Sequence, residues 1–155
     1  MRLKSALSTF AAVASLAIPA FAETAAQSAA RDSLIAFNDR FNELAASHDA
    51  EGLVALYDEN TFWIAPATPP AQGRDGVPLQ TITFMSENKG DLSHTIEDLF
   101  ISDDGTQAVM KGVTRASVES QGFRLEGSYI YVLERENADA PWRILLDMFS
   151  NYAAE

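Results

Sequence analysis

The sequence predicts an α+β fold in which helices come first, a meander of long antiparallel strands follows, and the helices gather on one face of a bent sheet. Three observations carry this. Leu34, Phe37, Phe41 and Leu44 recur at steps of three, four and three, the stripe of an amphipathic helix. Four β-rich runs after residue 92 are separated by turn-forming segments. The last of them, Trp142 to Tyr152, has the apolar density of a buried strand but holds one carboxylate, Asp147, in its middle.

The elements follow in order. Arg2 and Lys4 precede an apolar run from Leu7 to Ile18, and Ala20-Phe21-Ala22 supplies a small-residue cleavage site. Residues 1–22 therefore predict a secretory signal peptide, so a periplasmic or secreted chain that is no longer membrane-associated after cleavage near Ala22. Residues 23–29 are expected to form a short linker, and a helix runs from about Ser28 to Ser47. Asp49 suits the N-cap of a second helix, Ala50 to Tyr57, that buries Leu53, Leu56 and Tyr57. Thr61 to Ile64 is a short strand, and Pro66, Pro69, Pro70 and Gly73 make the next stretch a loop. Asp75 and Pro78 open a third helix with Val77, Ile82 and Phe84 or Met85 inward, ending near Gly90. Strands are expected at Ser93–Ser102, Gln107–Glu119, Arg124–Arg135 and Trp142–Tyr152. In the closing strand, strict alternation puts Trp142, Ile144, Leu146 and Met148 on one face and Arg143, Leu145, Asp147 and Phe149 on the other.

Composition excludes several functions. The 155 residues carry a formal charge of −11, and removal of Arg2 and Lys4 with the signal makes it −13, a surface that repels phosphate backbones and argues against nucleic-acid binding. There is no cysteine, hence no disulfide or thiolate chemistry. Phosphate-loop and H-E-x-x-H motifs are missing, no cofactor is implied, and two histidines far apart are a poor start for a metal site.

The stretch from His48 to Tyr57, the Gly73-Arg74-Asp75-Gly76-Val77 helix start, and Trp142-Arg143-Ile144 followed by Asp147 and Phe149-Ser150 resemble the nuclear transport factor 2-like superfamily, in its bacterial polyketide-cyclase-like and ketosteroid-isomerase-like branch. The resemblance covers roughly residues 30 to 152, with 153–155 left as a tail. It implies a cystatin-like cone: three N-terminal helices on a curved, mostly antiparallel sheet that encloses a pocket. Steroid isomerisation in that family needs an Asp base and a Tyr with a protonated Asp as oxyanion donors. Those positions fall on Ala65, Phe41 and near Tyr129, so that mechanism is not implied here. The resemblance lines the concave face with Phe37, Phe41, Trp63, Ala65, Phe84, Tyr129, Tyr131, Leu145, Asp147 and Phe149, a pocket for a small apolar or ketone-like molecule or else a filled aromatic core.

Inside an apolar cavity the charged form of Asp147 loses hydration, so its pKa should rise and suit general acid or base work. The structural alternative is that Asp147 accepts a hydrogen bond from Tyr129, Tyr131 or an arginine and fixes the strand. Tyr129 and His94 could assist, although His94 fits better as a surface or strand-edge residue without catalytic work. Arg115 and Arg124, on neighbouring strands, could hold a carboxylate ligand but better suit surface ion pairs with Glu119 or Glu126. Three readings result: a secreted small-molecule-binding domain, a cyclase- or isomerase-type enzyme using Asp147, and an interaction module without a pocket. Three helices cover one sheet face only, so Ile130, Val132, Ile144, Leu146 and Met148 on the other predict a homodimer through that face.

Overall fold

The computed structural model describes residues 23–152; residues 1–22, expected to be a signal peptide, and 153–155, expected to be a tail, lie outside the described residues. Helix α1 spans Ala25–Ala46, so it begins inside the stretch expected as a linker. The reason is a capping box: the Thr24 side chain accepts from the Gln27 amide, and the Gln27 side chain accepts from the Thr24 amide. Ala30, Leu34, Phe37, Phe41 and Leu44 form its buried stripe. Helix α2 is shorter than expected, Ala50–Val54, with Asp49 capping it by accepting from the Gly52 amide at 2.8 Å. Tyr57 leaves the helix and opens strand β1, Tyr57–Ile64. The loop that follows contains a two-residue strand β2, Ala71–Gln72. Helix α3, Val77–Glu87, starts with proline in its first turn and buries Pro78, Ile82 and Met85.

Strands β3 (Asp91–Ile101), β4 (Gln107–Val118), β5 (Phe123–Glu134) and β6 (Arg143–Phe149) complete one six-stranded sheet in the order β2-β1-β6-β5-β4-β3. All neighbours are antiparallel except β1 and β6, which run parallel. The helices lie against one face. No helix among the described residues is long and apolar enough to cross a membrane.

The sheet carries three register shifts, one of them between Tyr57 and Phe62 where β1 runs beside β6, and two single-residue bulges re-aim side chains. Between β5 and β6, Val132 pairs with Leu146 but Leu133 pairs with Ile144, leaving Leu145 without a partner. An extra residue of this kind shifts the in-out alternation. Ile144 is therefore fully buried on the same side as Asp147, not on the outer face that strict alternation gave it, and Leu145 is the residue turned out. The second bulge is in β3, where Ile96 pairs with Gly112 and Asp98 with Lys111, passing over Glu97.

β3 is an edge strand, and α1 seals part of its edge. The Asn42 amide accepts from the His94 backbone N–H at 2.8 Å and donates back to the His94 carbonyl at 2.9 Å, while Asn38 donates to the same carbonyl. At the far end of the sheet, Trp142 precedes β6, donates to Ser33 and lies under the Arg135 guanidinium at 4.5 Å, a cation–π contact that clips the β5–β6 connection to α1. The Arg115–Glu126 ion pair forms across β4 and β5 at 2.9 Å, on an exposed surface where such pairs contribute little.

Candidate functional site

Between α3 and the curved sheet lies a cavity of about 90 Å³. Its floor is aromatic: Tyr57 and Trp63 from β1, Tyr129 from β5 and Phe149 from β6. Thr81, Ile82 and Met85 of α3 close one side, Leu92 and His94 of β3 with Thr114 and Ala116 of β4 the other, and Phe123 and Leu125 of β5 complete the wall. Asp147 reaches this cavity from the middle of β6. No lysine or arginine is among the lining residues.

Asp147 is 4 % exposed and its Oδ2 accepts a hydrogen bond from the Tyr57 hydroxyl at 2.8 Å. Burial pushes its carboxyl up to about 7, and the Tyr57 bond offsets that only in part. The contest is between desolvation, which penalises a carboxylate in an apolar wall, and one neutral donor, which cannot compensate it as a cation would. The negative charge in turn joins burial in raising Tyr57, Tyr129 and Tyr131 above the ordinary phenol value, so all three remain donors at neutral pH.

His94 sits between two rings, stacked on Phe41 at 4.3 Å and on Tyr129 at 4.3 Å. Its Nδ1 is 3.1 Å from the Tyr131 hydroxyl. Burial holds its pKa down to about 3, so the imidazole is neutral. The Tyr131 ring meets the Tyr57 ring edge to face with centroids 6.4 Å apart. The Tyr129 hydroxyl is buried and has no hydrogen-bond partner, a cost of about 1–3 kcal/mol that a bound acceptor would relieve.

Of the residues expected at the pocket, Trp63, Tyr129, Asp147, Phe149 and His94 line the cavity. The others do not. Phe37 and Phe41 belong to the core beneath α1, Tyr131 is buried behind the cavity, and Ala65 packs against the core margin. Phe84 is 45 % exposed, because Ile82 and Met85 take the inward face of α3 and Phe84 falls outside their arc. Leu145 lies at an outer groove with Phe100, Val109 and Val132, turned there by its bulge. Sequence reasoning missed Tyr57 as a site residue by extending α2 over it. The available signal was polar Asp58, Glu59 and Asn60 followed by Thr61, a poor continuation for a buried helical stripe.

An open cone of helices and sheet enclosing a small, largely apolar cavity with an acid in its wall defines a class of protein, and comparison with known proteins places the chain within it. The SnoaL-like domain matches residues 38–139. The chain belongs to the SnoaL-like family of the nuclear transport factor 2-like superfamily. Among solved structures, an NTF-2 like protein of unknown function from Shewanella oneidensis MR-1 is 18 % identical, covers 78 % of this chain and 98 % of its own, and superposes with a TM-score of 0.64. A candidate scytalone dehydratase from Novosphingobium aromaticivorans DSM 12444 is 17 % identical, with coverages of 84 % and 92 % and a TM-score of 0.63. A candidate dehydratase of the NTF2-like family from Streptomyces avermitilis is 17 % identical, with coverages of 83 % and 99 % and a TM-score of 0.62. At these identities the likeness is one of fold. No curated protein matches the chain.

Proposed function

We propose that this chain binds a small, neutral, largely apolar molecule in the cavity and that Asp147 works on it as a general acid or base. The observation that carries the reading is a buried carboxyl with a pKa of about 7, held by one tyrosine and no cation, in the wall of an aromatic cavity. A catalytic group is most effective when its pKa lies near the working pH. A ligand carboxylate or phosphate would meet no basic side chain there and would lose its hydration uncompensated. The free Tyr129 hydroxyl supports a ligand with one acceptor oxygen, such as a ketone. The relatives described as candidate dehydratases support proton-transfer chemistry on this fold.

The test is to denature the protein purified from its own host and analyse the released small molecules by mass spectrometry. A neutral apolar compound should come from the natural chain and be lost from Ala116→Phe, which fills the cavity. Equal recovery from both, or none from either, overturns the reading. The same preparation checks export: the amino-terminal sequence should begin at Glu23 in the periplasmic or secreted fraction, and retention of Met1 there would refute cleavage.

We further propose a homodimer through the outer sheet face. Phe62, Phe100 and Met148 on that side are 46 %, 63 % and 37 % exposed, with Ile130, Val132 and Leu146 half-buried between them. A second copy is the self-complementary cover, and about 800 Å² per partner is usual for a stable pair. Ile144, which is in the core, is no probe of this face. Met148→Glu with Phe100→Glu should convert a two-chain mass to a one-chain mass in light scattering at micromolar concentration. A one-chain mass for the natural protein refutes the pairing.

A further inference from the structure

The ring of His94 is held on three sides. Phe41 and Tyr129 cover its two faces, each with a centroid separation of 4.3 Å and interplanar angles of 12° and 15°, and Nδ1 meets the Tyr131 hydroxyl at 3.1 Å. The fourth side is open. Nε2 hydrogen-bonds to nothing among the described residues, and unlike the Tyr129 hydroxyl it is not sealed from open space. His94 lines the cavity together with Leu92, its neighbour on the same face of β3. We propose that Tyr131 fixes His94 in the tautomer with hydrogen on Nε2, and that this N–H is the directed donor to a carbonyl-type oxygen of the molecule in the cavity. This rests on the reading of the cavity as a site for a small neutral molecule.

The tautomer follows from where the hydrogens can go. Tyr131 is 1 % exposed, and its hydroxyl has one partner among the described residues, His94 Nδ1. Were Nδ1 to carry the hydrogen and donate, the hydroxyl hydrogen would be left in the core without an acceptor, because Tyr131 makes no second hydrogen bond. A phenol hydroxyl is also the better donor of this pair and an imidazole nitrogen the better acceptor. Donation from Tyr131 satisfies both groups. The single hydrogen of the neutral ring then sits on Nε2.

Two consequences define the ligand. With Nδ1 occupied and hydrogen on Nε2, His94 has no lone pair to receive a proton, so it is not a second base, and the proton-accepting role falls to Asp147 alone. An N–H without a partner beside an apolar cavity also calls for an acceptor that carries no charge. One neutral donor satisfies a carbonyl oxygen and polarises it, whereas a carboxylate would need a cation, and no lysine or arginine lines the cavity. His94 stands on β3 and Asp147 on β6, three strands apart in the sheet order. The ligand oxygen is therefore held at one wall and the proton exchanged at the other. Tyr129 is the rival donor: its hydroxyl also lacks a partner, but it is sealed, so a ligand must displace neighbouring atoms to reach it.

The test uses the purified protein and two small probes, benzene and cyclohexanone labelled with ¹³C at its carbonyl. ¹⁵N NMR of the histidine rings, with His48→Asn assigning the second histidine, should show hydrogen on Nε2 of His94 in about tenfold excess or more. Hydrogen on Nδ1 overturns the proposal. In Tyr131→Phe the Nδ1 resonance should move to the position of a nitrogen that accepts no hydrogen bond, and a resonance that stays in place refutes the role of Tyr131; if that variant does not fold, the tautomer of the natural chain decides. Bound cyclohexanone should show a lowered carbonyl stretch and move the Nε2 hydrogen resonance downfield, which benzene should not do. His94→Phe, which keeps a ring between Phe41 and Tyr129, should raise the stretch again and weaken cyclohexanone relative to benzene by about fivefold, while Tyr129→Phe should leave the stretch lowered. The opposite pattern assigns the oxygen to Tyr129 and overturns the proposal. If His94→Phe does not fold, the Nε2 hydrogen resonance of the natural chain decides, and no movement with cyclohexanone bound is a refutation. Uptake of benzene without cyclohexanone refutes the donor alone, whereas uptake of neither overturns the binding reading and the donor with it.

Discussion

Asp147→Asn is expected to be more stable than the natural chain at pH 8 and to lose most of that advantage at pH 4. The carboxyl has its pKa raised from 3.8 to about 7 by burial, so between those values the folded protein holds a proton that the unfolded chain has released. Stability linked to this group is therefore fully present below pH 4, falls as pH rises, and is lost above pH 7. The whole difference is about 4 kcal/mol at most. Asparagine keeps the shape and an acceptor for Tyr57 but carries no charge to desolvate, so a gain of about 2–4 kcal/mol is expected at pH 8. Urea unfolding of the two proteins at both pH values measures it. An equal difference at pH 4 and pH 8 would show that Asp147 is not held as an uncompensated buried acid. The same variant should lose any proton-transfer activity, since an amide cannot take up and release the proton.

Gly112→Ala should cost about 3 kcal/mol or more, at the upper end of overpacking effects, and should disturb the site along with the fold. A Cβ at Gly112 would overlap the Thr95 carbonyl and come within 3.0 Å of the Tyr129 ring. The carbonyl is backbone and cannot give way as a flexible side chain could. Gly112 pairs with Ile96 at the edge of the β3 bulge, so the missing side chain is what allows the strands to close in where the sheet bends. Tyr129, pressed against this point, is also the ring on which His94 stacks. Thermal unfolding of the variant should show a large drop in midpoint, and the ring-current shift of His94 should change. A variant with an unchanged midpoint would refute the tight approach.

Much of this architecture was legible in the sequence because hydrophobic period reports burial. The α1 stripe and the four long strands emerge from alternation and turn chemistry, and the acid in the closing strand marks the cavity. What periodicity cannot report is an extra residue in a ladder. The bulge at Leu145 moved Ile144 into the core and left Leu145 and Leu146 both facing out, and nothing in three successive aliphatic residues distinguishes that arrangement from strict alternation. Tyr57 was obscured for another reason. Its role depends on β1 lying parallel to β6, which brings its hydroxyl to Asp147, 90 positions further along the chain, and local pattern carries no information about that contact. His94 was expected at the surface or a strand edge; β3 is an edge strand, but His94 is buried, because α1 folds across it.

The two borders of the sheet limit how copies of this chain can associate. At β3, the Asn42 side chain occupies the hydrogen-bonding positions at His94 that an incoming strand would need. At the opposite border β2 is only two residues long, directly after Pro69 and Pro70. Lateral addition of strands, the route by which sheets propagate into open-ended fibres, is thus obstructed at both ends. Association between flat faces is left, and with the helices occupying one face only a single face remains, so growth by that route terminates at a pair.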